Sequence, residues 1–279
     1  MRKWVWWISI PLILVTGLAI WAFFIEPNRL VIHRETIVIS DWPYELDGLR
    51  AAVLSDIHAG SSFINKAKLD EIVAKTNAEN PDLVLLLGDF MVRNRAYRDD
   101  PLDPEVIANA LGGLKGKIGV YAVLGNHDWW YNGVRVQQEL QRAGIRVLEN
   151  DVASIQVAQR EFFIWGIADM WTRPQAISGM DSRIVSGEPV IAMTHNPDIF
   201  PDIPAEVALT LAGHTHGGQV NIPFLGRPIV PSRFGQRYAA GLVHDGHKQM
   251  FVTTGIGTSI LPVRFRVPPE IVLLTLKSR

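Results

Sequence analysis

The chain of 279 residues is 48% hydrophobic and 20% charged, with 27 basic and 28 acidic side chains and a formal net charge of −1. This composition supports a large core but provides no basic surface of the kind that binds nucleic acid, so we expect no nucleic-acid partner. Because the chain has no cysteine, disulfide bonds, cysteine-ligated zinc and iron–sulfur clusters are excluded. Any bound metal must therefore use nitrogen and oxygen ligands.

The first feature along the chain is an uncharged run between Lys3 and Glu26, WVWWISIPLILVTGLAIWAFFI. As a helix it would span roughly 33 Å, close to the thickness of bilayer hydrocarbon. Aromatic residues cluster at both of its ends, as in the belts of membrane-spanning helices. The sequence therefore predicts a membrane anchor over residues 1–27, with one transmembrane helix at 4–25. A cleaved signal peptide is the alternative, although no small-residue cleavage site precedes Glu26.

Charges beside this run bear on its orientation. Arg2, Lys3 and the α-amino group favour a cytoplasmic N terminus, and they would place the following domain outside the cytoplasm. Arg29 and Arg34 follow the run closely and weaken that bias. We expect a single-pass protein of the cell membrane, with an extracytoplasmic domain as the favoured arrangement.

Residues 28–48 are predicted to form a connector and a first strand, and residues 49–279 one large α/β domain. In the first half of the domain, apolar runs typical of buried strands alternate with helical patterns. Those helical patterns are NKAKLDEIVAKTNAENP, PEVIANALGGL and VRVQQELQRAG. The second half, from ASIQVA to EIVLLTL, consists mostly of strands. This order predicts stacked β-sheets with helices outside them.

Side chains that can bind a metal follow five of the predicted strands directly. Loops at the carboxyl ends of strands in an α/β sheet converge on one crevice, so we expect these side chains to meet there. Five of the eight histidines lie at these positions, whereas His33, His244 and His247 are expected on the surface or in loops. The strand-end residues are Asp56 and His58, Asp89, Asn126 with His127 and Asp128, His195, and His214 with His216.

Two carboxylates, one amide and four histidines exceed what a single metal ion requires. Seven such ligands suit two divalent ions about 3.5–4 Å apart that share a carboxylate and a bridging water. Mixed imidazole and carboxylate ligation fits manganese, iron, zinc or cobalt and does not favour calcium. Two such ions would attract a phosphate and lower the pKa of the shared water. The pattern therefore predicts hydrolysis of a phosphoester bond.

His127 is expected to have a role apart from the metals. In an extended segment its side chain would point away from that of a metal-bound Asn126. A protonated imidazole there could stabilise the transition state and protonate the leaving alkoxide. Asp128, the next residue, could orient this imidazole or raise its pKa.

The segments DIHAG, GDF, GNHD, MTH and GHTHGG resemble, in this order, the five motifs of the calcineurin-like metallophosphoesterases, and together they span Asp56 to Gly218. The resemblance implies an α/β fold, a four-layer sandwich of two β-sheets flanked by helices. It implies a first metal bound by Asp56, His58 and His216. It further implies a second metal bound by Asn126, His195 and His214, a bridging Asp89, and a catalytic His127 that binds neither ion.

The N-terminal run, the segment GHTHGGQ and the ending GIGTSILPVRFRVPPEIVLLTL are similar to the membrane-anchored bacterial branch of this family. That similarity implies a phosphodiesterase that hydrolyses a phosphodiester or pyrophosphate bond, with a lipid-linked substrate such as UDP-diacylglucosamine as one candidate. A UDP-linked substrate requires a domain that faces the cytoplasm, against the charge bias. The alternatives are a phosphomonoesterase or nucleotide phosphatase on a soluble substrate, and a non-catalytic membrane scaffold, which the intact ligand positions disfavour.

Two further groups of residues have alternative interpretations. Aromatic and apolar residues beside the motifs either pack the loops on the core or form a rim that contacts lipid; these are Phe63, Phe90, Met91, Trp129, Trp130 and Tyr131. Phe90 and Met91 stand where many family members carry a polar residue, which bears on the substrate. Five arginines are expected on solvated surface, with contacts to phosphate or lipid headgroups as the alternative; these are Arg227, Arg233, Arg237, Arg264 and Arg266.

Overall fold

The structure, a computed structural model, describes residues 2–92, 102–174, 177 and 182–279. The described α-helices are α1 (Arg2–Ile20), α2 (Lys66–Ala78), α3 (Pro104–Leu111) and α4 (Asn126–Arg142). The strands are β1 (Val31–Ile39), β2 (Leu49–Leu54), β3 (Leu83–Leu86), β4 (Gly119–Ala122), β5 (Arg146–Val147), β6 (Asp151–Val157), β7 (Arg160–Gly166), β8 (Val190–Met193), β9 (Leu209–Ala212), β10 (Gly241–Asp245), β11 (Lys248–Val252) and β12 (Glu270–Ser278).

The first sheet has the strand order β1-β12-β2-β3-β4-β5. Strand β12 runs antiparallel to β2, and all other neighbours in this sheet are parallel. The residues of β3 are buried without exception, as expected for a parallel strand covered on both faces. Because β2, β3 and β4 are parallel, their carboxyl ends lie at the same edge of the sheet.

The second sheet has the order β10-β11-β9-β8-β7-β6. Its four central strands, β7, β8, β9 and β11, are parallel, and an antiparallel strand pairs at each edge. The carboxyl ends of β8 and β9 therefore lie together, as those of β2, β3 and β4 do in the first sheet.

Three apolar clusters separate the layers. Helices α2, α3 and α4 cover one face of the first sheet, with Leu69, Leu111 and Leu140 in that cluster. The two sheets pack face to face through residues such as Leu85 and Phe162. The outer face of the second sheet packs against two 3-10 helices, Pro197–Asp202 and Gly235–Tyr238, through a third cluster. The predicted fold, two sheets flanked by helices, is confirmed.

Helix α4 differs most from the sequence-based expectation. It begins at Asn126, whereas the amphipathic pattern predicted a helix from Val134 and an extended GNHD segment. Gly125 caps the helix, and its backbone N–H donates to Asp128 Oδ2 over 2.9 Å. The helix bends at Asn132, whose φ of −171° is not helical. The bend separates the segment at the site from the amphipathic segment that packs on the sheet.

Strands β1, β5 and β10 lie at the edges of the two sheets. The predicted connector contains β1, which pairs in parallel with β12 along its whole length and so extends the first sheet. Strand β5 has two residues and β10 forms a hairpin with β11; neither was predicted. A two-residue strand is too short to show a hydrophobic period, which explains the first omission.

The N-terminal helix stands apart from the core. It continues from α1 through a π-helical turn, Trp21–Ile25, and a 3-10 turn, Glu26–Asn28. The segment Ser9–Asn28 is long and apolar enough to cross a membrane, and only 11% of its most apolar window is buried. Such exposure excludes a core helix for this segment. Ala22, Glu26 and Pro27 are the members of its last turns that pack against the domain.

Candidate metal centre

The structure brings all the predicted strand-end residues to one place. Asp56 and His58 follow β2, Asp89 follows β3, and Asn126 follows β4. His195 follows β8 and His214 and His216 follow β9, so the second sheet supplies the remaining side chains. Each of these seven side chains is at most 6% exposed. The site therefore lies where the carboxyl edges of the two sheets meet.

The nitrogen and oxygen atoms form groups with the spacing of metal ligands. Asp56, His58 and His216 form one group, and Asp89, His195 and His214 form another, with ligand atoms within 4.8 Å of one another in each. Asp89 Oδ2 lies 3.3 Å from His195 Nε2 and 3.7 Å from His58 Nε2. The Asp89 carboxylate thus lies between the two groups. A third group of this kind joins His58 and Asp89 to His127.

Backbone carbonyls set the tautomers of two histidines. Nδ1 of His58 donates to the Met91 carbonyl over 3.0 Å, and Nδ1 of His195 donates to the Leu87 carbonyl over 2.8 Å. With Nδ1 bonded to a carbonyl, Nε2 of each ring faces the site, which is the orientation that a metal-binding histidine needs. Burial by itself would lower the pKa of His195, but the Asp89 carboxylate raises that pKa to about 10, so a metal at this nitrogen would displace a proton. His58 Nε2 lies 3.1 Å from His216 Nε2. A cation beside these nitrogens would use lone pairs that otherwise face each other.

Two buried oxygen atoms at the site have the unused acceptor capacity that a metal ligand needs. Asp56 Oδ1 and Asn126 Oδ1 make no hydrogen bond to any residue that the structure describes. Buried polar atoms are nearly always paired, so such oxygens at one site call for a ligand. Imidazole nitrogens beside carboxylate and amide oxygens suit a divalent transition metal. The residues present therefore fit the metals that the sequence predicted.

Burial and neighbouring charges set the protonation states. Burial, together with neighbouring histidines, lowers the pKa of His58 and of His214 to about 3, which keeps both rings in the neutral, ligating form. Burial by itself would raise the pKa of the Asp89 carboxyl, but the imidazoles around it, His195 foremost, hold that pKa well below its usual range. Asp89 is therefore an anion surrounded by nitrogen ligands.

The backbone is strained at five of the seven predicted ligands. Their φ angles lie in the left-handed region, between 47° and 68°, and the residues are Asp56, His58, Asp89, His214 and His216. Residues other than glycine rarely adopt this conformation, and its cost is about 1–3 kcal/mol each. One compensating contact is the His214 backbone N–H, which donates to Asp56 Oδ2 over 2.9 Å. Strain concentrated in this way is typical of functional sites.

His127 lies at the start of α4, beside the metal ligands. Its backbone N–H donates to Asp89 Oδ1 over 2.8 Å. Its ring packs edge-on against His58, with ring centroids 4.7 Å apart, and also contacts the Trp130 ring, with centroids 5.0 Å apart. A helical start, rather than the extended segment expected from sequence, separates the directions of the Asn126 and His127 side chains.

Asp128 holds the loop that carries Asp89. Its two carboxylate oxygens accept the backbone N–H groups of Gly125, Asp89 and Met91, each over 2.9 Å. Burial and the nearby Asp89 carboxylate raise the pKa of Asp128 to about 8. These contacts make Asp128 a positioning residue for the Asp89 loop, a role different from the expected orientation of the His127 ring.

Asp169 and Trp171 were not predicted from the sequence. Asp169 follows β7, is fully buried, and accepts hydrogen bonds from the Trp171 backbone N–H and the Thr172 hydroxyl. The Trp171 ring packs edge-on against His214, with centroids 4.4 Å apart, and stacks on Trp130 at 6.4 Å. The available signal was positional, because Asp169 ends its strand in IWGIAD as the predicted ligands end theirs.

The structure decides between core and surface for several residues whose sequence left both interpretations open. Phe90 and Met91 are buried in the core, and Phe63 and Trp129 pack against it, whereas Trp130 and Tyr131 are exposed. The surface interpretation of Arg264 is wrong. This side chain is fully buried, and its guanidinium donates to the backbone carbonyls of Thr254, Gly255, Gly257 and Val267. His244 and His247 are exposed, as expected.

A cavity of about 470 Å³ opens over the ligands. Asp89, Asn126 and His127 line its floor together with the histidines of GHTH. Its remaining walls are largely apolar and come from Trp130, Trp171, Val220, Ile229, Ile260, Leu261 and Val263. A substrate in this cavity would place a polar group at the ligands and an apolar part against these walls.

The family model for calcineurin-like phosphoesterases matches residues 49–218, well over half of the chain. The chain belongs to the calcineurin-like phosphoesterase family. It is accordingly a metal-dependent phosphoester hydrolase, and its site lies at the place where the family's motifs meet.

Several relatives of this calcineurin-like phosphoesterase cover most of its length. It is 30% identical to the Uncharacterized metallophosphoesterase YkuE of Bacillus subtilis (strain 168), over 92% of this chain and 89% of the relative. It is 31% identical to Phosphodiesterase YaeI of Escherichia coli (strain K12), over 80% of each chain. It is 30% identical to a Transmembrane protein with metallophosphoesterase domain of Danio rerio, over 87% of this chain and 56% of the relative.

A solved structure supports the fold. The NAD nucleotidase NadN of Haemophilus influenzae matches with a TM-score of 0.50 and 14% sequence identity. The match covers 75% of this chain and 45% of the nucleotidase. At this identity the similarity establishes the fold alone.

Gly125 offers a test of how closely the site is packed. A methyl group added there would lie 2.7 Å from the Asp89 backbone nitrogen and would overlap the Asp89 carboxylate. We expect Gly125→Ala to lose about 1–3 kcal/mol of stability and to bind metal more weakly, because Asp89 must move. Metal content and thermal unfolding would measure both effects. Gly17→Ala, where no atom lies within 4 Å of the added carbon, is the control and should change neither. Full metal content in Gly125→Ala would contradict this account.

Proposed function

We propose that this phosphoesterase is anchored in a membrane, binds two divalent ions, and hydrolyses a phosphodiester or pyrophosphate bond of a lipid-linked substrate. The observation that carries the proposal is the position of Asp89 between two groups of ligands, beside a cavity with apolar walls. Asp56, His58 and His216 would bind one ion, and Asn126, His195 and His214 the other, with Asp89 shared. Manganese, iron, zinc and cobalt all fit this set of donors.

The residues of the chain then have distinct tasks. Bound divalent ions would supply Lewis acidity toward the phosphoryl oxygens and a water of lowered pKa. Asp89, held by the backbone contacts of Asp128, keeps the two ligand groups at a constant separation. The His127 imidazole lines the cavity beside the ligands, where it can donate a proton to the leaving oxygen. Trp130 and Trp171 stack on each other and form one apolar wall of the cavity beside the ligands.

The domain supports membrane anchoring through its contacts with the N-terminal helix. The Ala22 carbonyl accepts the Arg264 backbone N–H over 2.9 Å, and Glu26 Oε1 accepts that of Val267 over 2.8 Å. Glu26 is only 2% exposed in this contact. A cleavable leader has no need of such contacts, so they favour a retained anchor over a signal peptide. The relative from Danio rerio that is named a transmembrane protein agrees with this proposal.

A lipid-linked substrate is supported by the loop that joins the anchor to the cavity. Leu261 and Val263 line the cavity, and the next residue, Arg264, contacts the anchor. A substrate with acyl chains in the bilayer could therefore reach the ligands along an apolar wall. A soluble phosphomonoester would leave that wall without a function.

Hydrolysis of two nitrophenyl substrates tests the proposed function. The full chain, purified in detergent and stripped of metal, would be reloaded with manganese, cobalt or zinc and assayed on bis(p-nitrophenyl) phosphate and on p-nitrophenyl phosphate. We expect metal to restore activity, with the diester cleaved faster. Faster cleavage of the monoester would favour the phosphomonoesterase alternative. Two bound ions without turnover of either substrate would favour the scaffold, and absence of metal binding would refute the site.

A further inference from the structure

Two loops of the domain expose large apolar side chains beside the end of the anchor. The first, residues 219–229, exposes Phe224 completely, Leu225 at 63% and Ile229 at 74%. The second, residues 259–265, exposes Ile260 at 72% and Leu261 at 44%. We call these five side chains the apolar loop surface. Contiguous apolar exposure of this kind marks a surface that contacts a partner or a membrane.

The two loops form one unit. Val220 pairs with Phe265 in a parallel β-bridge, and the Phe265 backbone N–H donates to the Gln219 carbonyl over 2.9 Å. The Gln219 side chain donates to the Leu261 carbonyl and accepts the Ser259 backbone N–H. These contacts hold both loops in one orientation, so their apolar tips lie on a common surface.

The tips of both loops are conformationally strained. Phe224 has a φ of 68° and Ile260 a φ of 65°, in the left-handed region that favours glycine. For a bulky or β-branched residue this conformation is a true outlier. Neither side chain gains burial within the domain in return, since both are highly exposed. Such exposure in a strained backbone indicates a contact outside the domain.

The contact between the second loop and the anchor indicates how deep the apolar loop surface would lie in a membrane. The Arg264 backbone meets the carbonyl of Ala22, which belongs to the membrane-compatible segment Ser9–Asn28. At the rise of a helix, Ala22 lies about 9 Å before Asn28, toward the interior of the span. The Arg29 guanidinium carbon lies over the ring of Trp21, the residue before Ala22, 5.8 Å from its centroid, and an aromatic residue beside a basic one is typical of the membrane interface. The second loop therefore reaches the depth of the interface.

Buried contacts make this placement rigid. The Arg264 guanidinium is fully buried and donates to backbone carbonyls on both sides of the loop. The Glu26 carboxylate accepts from the Trp21 indole and from the Val267 backbone, so it joins the anchor to the same loop. The domain thus cannot turn the apolar loop surface away from the bilayer without breaking buried hydrogen bonds.

We propose that the apolar loop surface docks on the bilayer that the anchor crosses and holds the mouth of the cavity at headgroup level. Ile229, Ile260 and Leu261 belong both to this surface and to the cavity wall. They form an apolar path from the bilayer to the metal ligands, so the substrate is an amphiphile whose acyl chains remain in the membrane. This inference rests on the proposed membrane anchoring and adds the route by which the substrate enters.

Single-cysteine labelling tests the docking directly, because the chain contains no cysteine. Phe224→Cys in the full chain would carry an environment-sensitive fluorophore, with the protein in nanodiscs of phosphatidylethanolamine and phosphatidylglycerol. We expect quenching by spin-labelled lipid and protection from aqueous iodide. The control is Tyr44→Cys, at an 85% exposed aromatic beyond the far end of β1, roughly 30 Å from the anchor. Its label should respond to iodide alone.

A third label separates the two proposals. Ile13→Cys lies within the anchor at a side chain that is 68% exposed. Lipid quenching at residue 13 without lipid quenching at residue 224 would overturn the docking and leave the anchoring intact. Aqueous quenching at residue 13 would overturn the anchoring, and the docking with it.

Activity provides an independent readout. The substrates would be a diacylglycerol p-nitrophenyl phosphodiester in vesicles and soluble bis(p-nitrophenyl) phosphate, which share a leaving group. The double variant Phe224→Glu, Leu225→Glu adds charge outside the cavity. It should lower turnover of the lipid diester about tenfold or more and leave the soluble diester unchanged, because the bilayer contact is lost. Tyr44→Glu is the matched control.

Equal losses on both substrates, or no loss on the lipid diester, would overturn the docking. If the unaltered chain cleaved neither substrate with metal bound, the proposed function would fail instead. The labelling result would then still decide the docking.

Discussion

Replacing Asp89 with asparagine should remove most of the bound metal and nearly all of the activity. The carboxylate is 2% exposed and its Oδ2 faces nitrogen atoms of both ligand groups, 3.3 Å from His195 and 3.7 Å from His58. An amide has nearly the same shape but no charge, so it cannot balance the charge of bound divalent metal. We expect the kcat/KM to fall by about 10³-fold or more, since metals supply several kcal/mol of transition-state stabilisation.

Metal content by mass spectrometry and turnover of bis(p-nitrophenyl) phosphate would measure this effect. Asp70→Asn is the control, because Asp70 lies exposed on α2 and pairs only with Lys66 among the described contacts. That variant should keep its metal and its rate. An Asp89→Asn protein with full metal content and a rate within tenfold of the unaltered chain would reject the bridging role.

Replacing His127 with alanine should lower the rate and leave the metal in place. The imidazole lines the cavity beside the ligands, and its ring centroid lies 4.7 Å from that of His58. Loss of a general acid typically costs about 10²–10⁴-fold in rate. The loss should be larger for an alkyl phosphodiester than for a nitrophenyl one, because the nitrophenolate leaves without much help from a proton.

The comparison of two leaving groups distinguishes a proton donor from a structural residue, which would affect both substrates alike. His244→Ala, at an exposed histidine in β10, is the control and should change neither rate. If His127→Ala lost metal together with activity, His127 would be a ligand, as its grouping with His58 and Asp89 permits. An unchanged rate on both substrates would remove His127 from the mechanism.

Much of the fold followed from short-range patterns in the sequence. Strands β2, β3, β8 and β9 are largely apolar runs followed closely by polar residues, and α2 and α3 show the helical period. These patterns depend on a few neighbouring residues, so a sequence reveals them. The convergence of the strand ends followed from the parallel arrangement alone.

Other features depend on contacts between distant parts of the chain. Asp128 at the start of α4 accepts backbone N–H groups from the distant Asp89 loop in addition to that of its neighbour Gly125. Nothing in the local pattern of GNHD shows that those groups lie nearby. Likewise, Arg264 is charged and was expected on the surface, yet it is fully buried. Its guanidinium is satisfied there by hydrogen bonds to the carbonyls of three loop residues and of Val267.

The sequence by itself determined the family, most of the helices and strands, the ligand candidates and the apolar N-terminal segment, because each depends on residue type and local spacing. Only the tertiary structure decided which side chains share the cavity, that Asp128 positions the Asp89 loop, and that Asp169 and Trp171 belong to the site. Only it placed the two exposed loops beside the anchor. These features arise from packing and from hydrogen bonds between residues far apart in sequence, such as Val267 with Glu26, and no local pattern specifies such pairs.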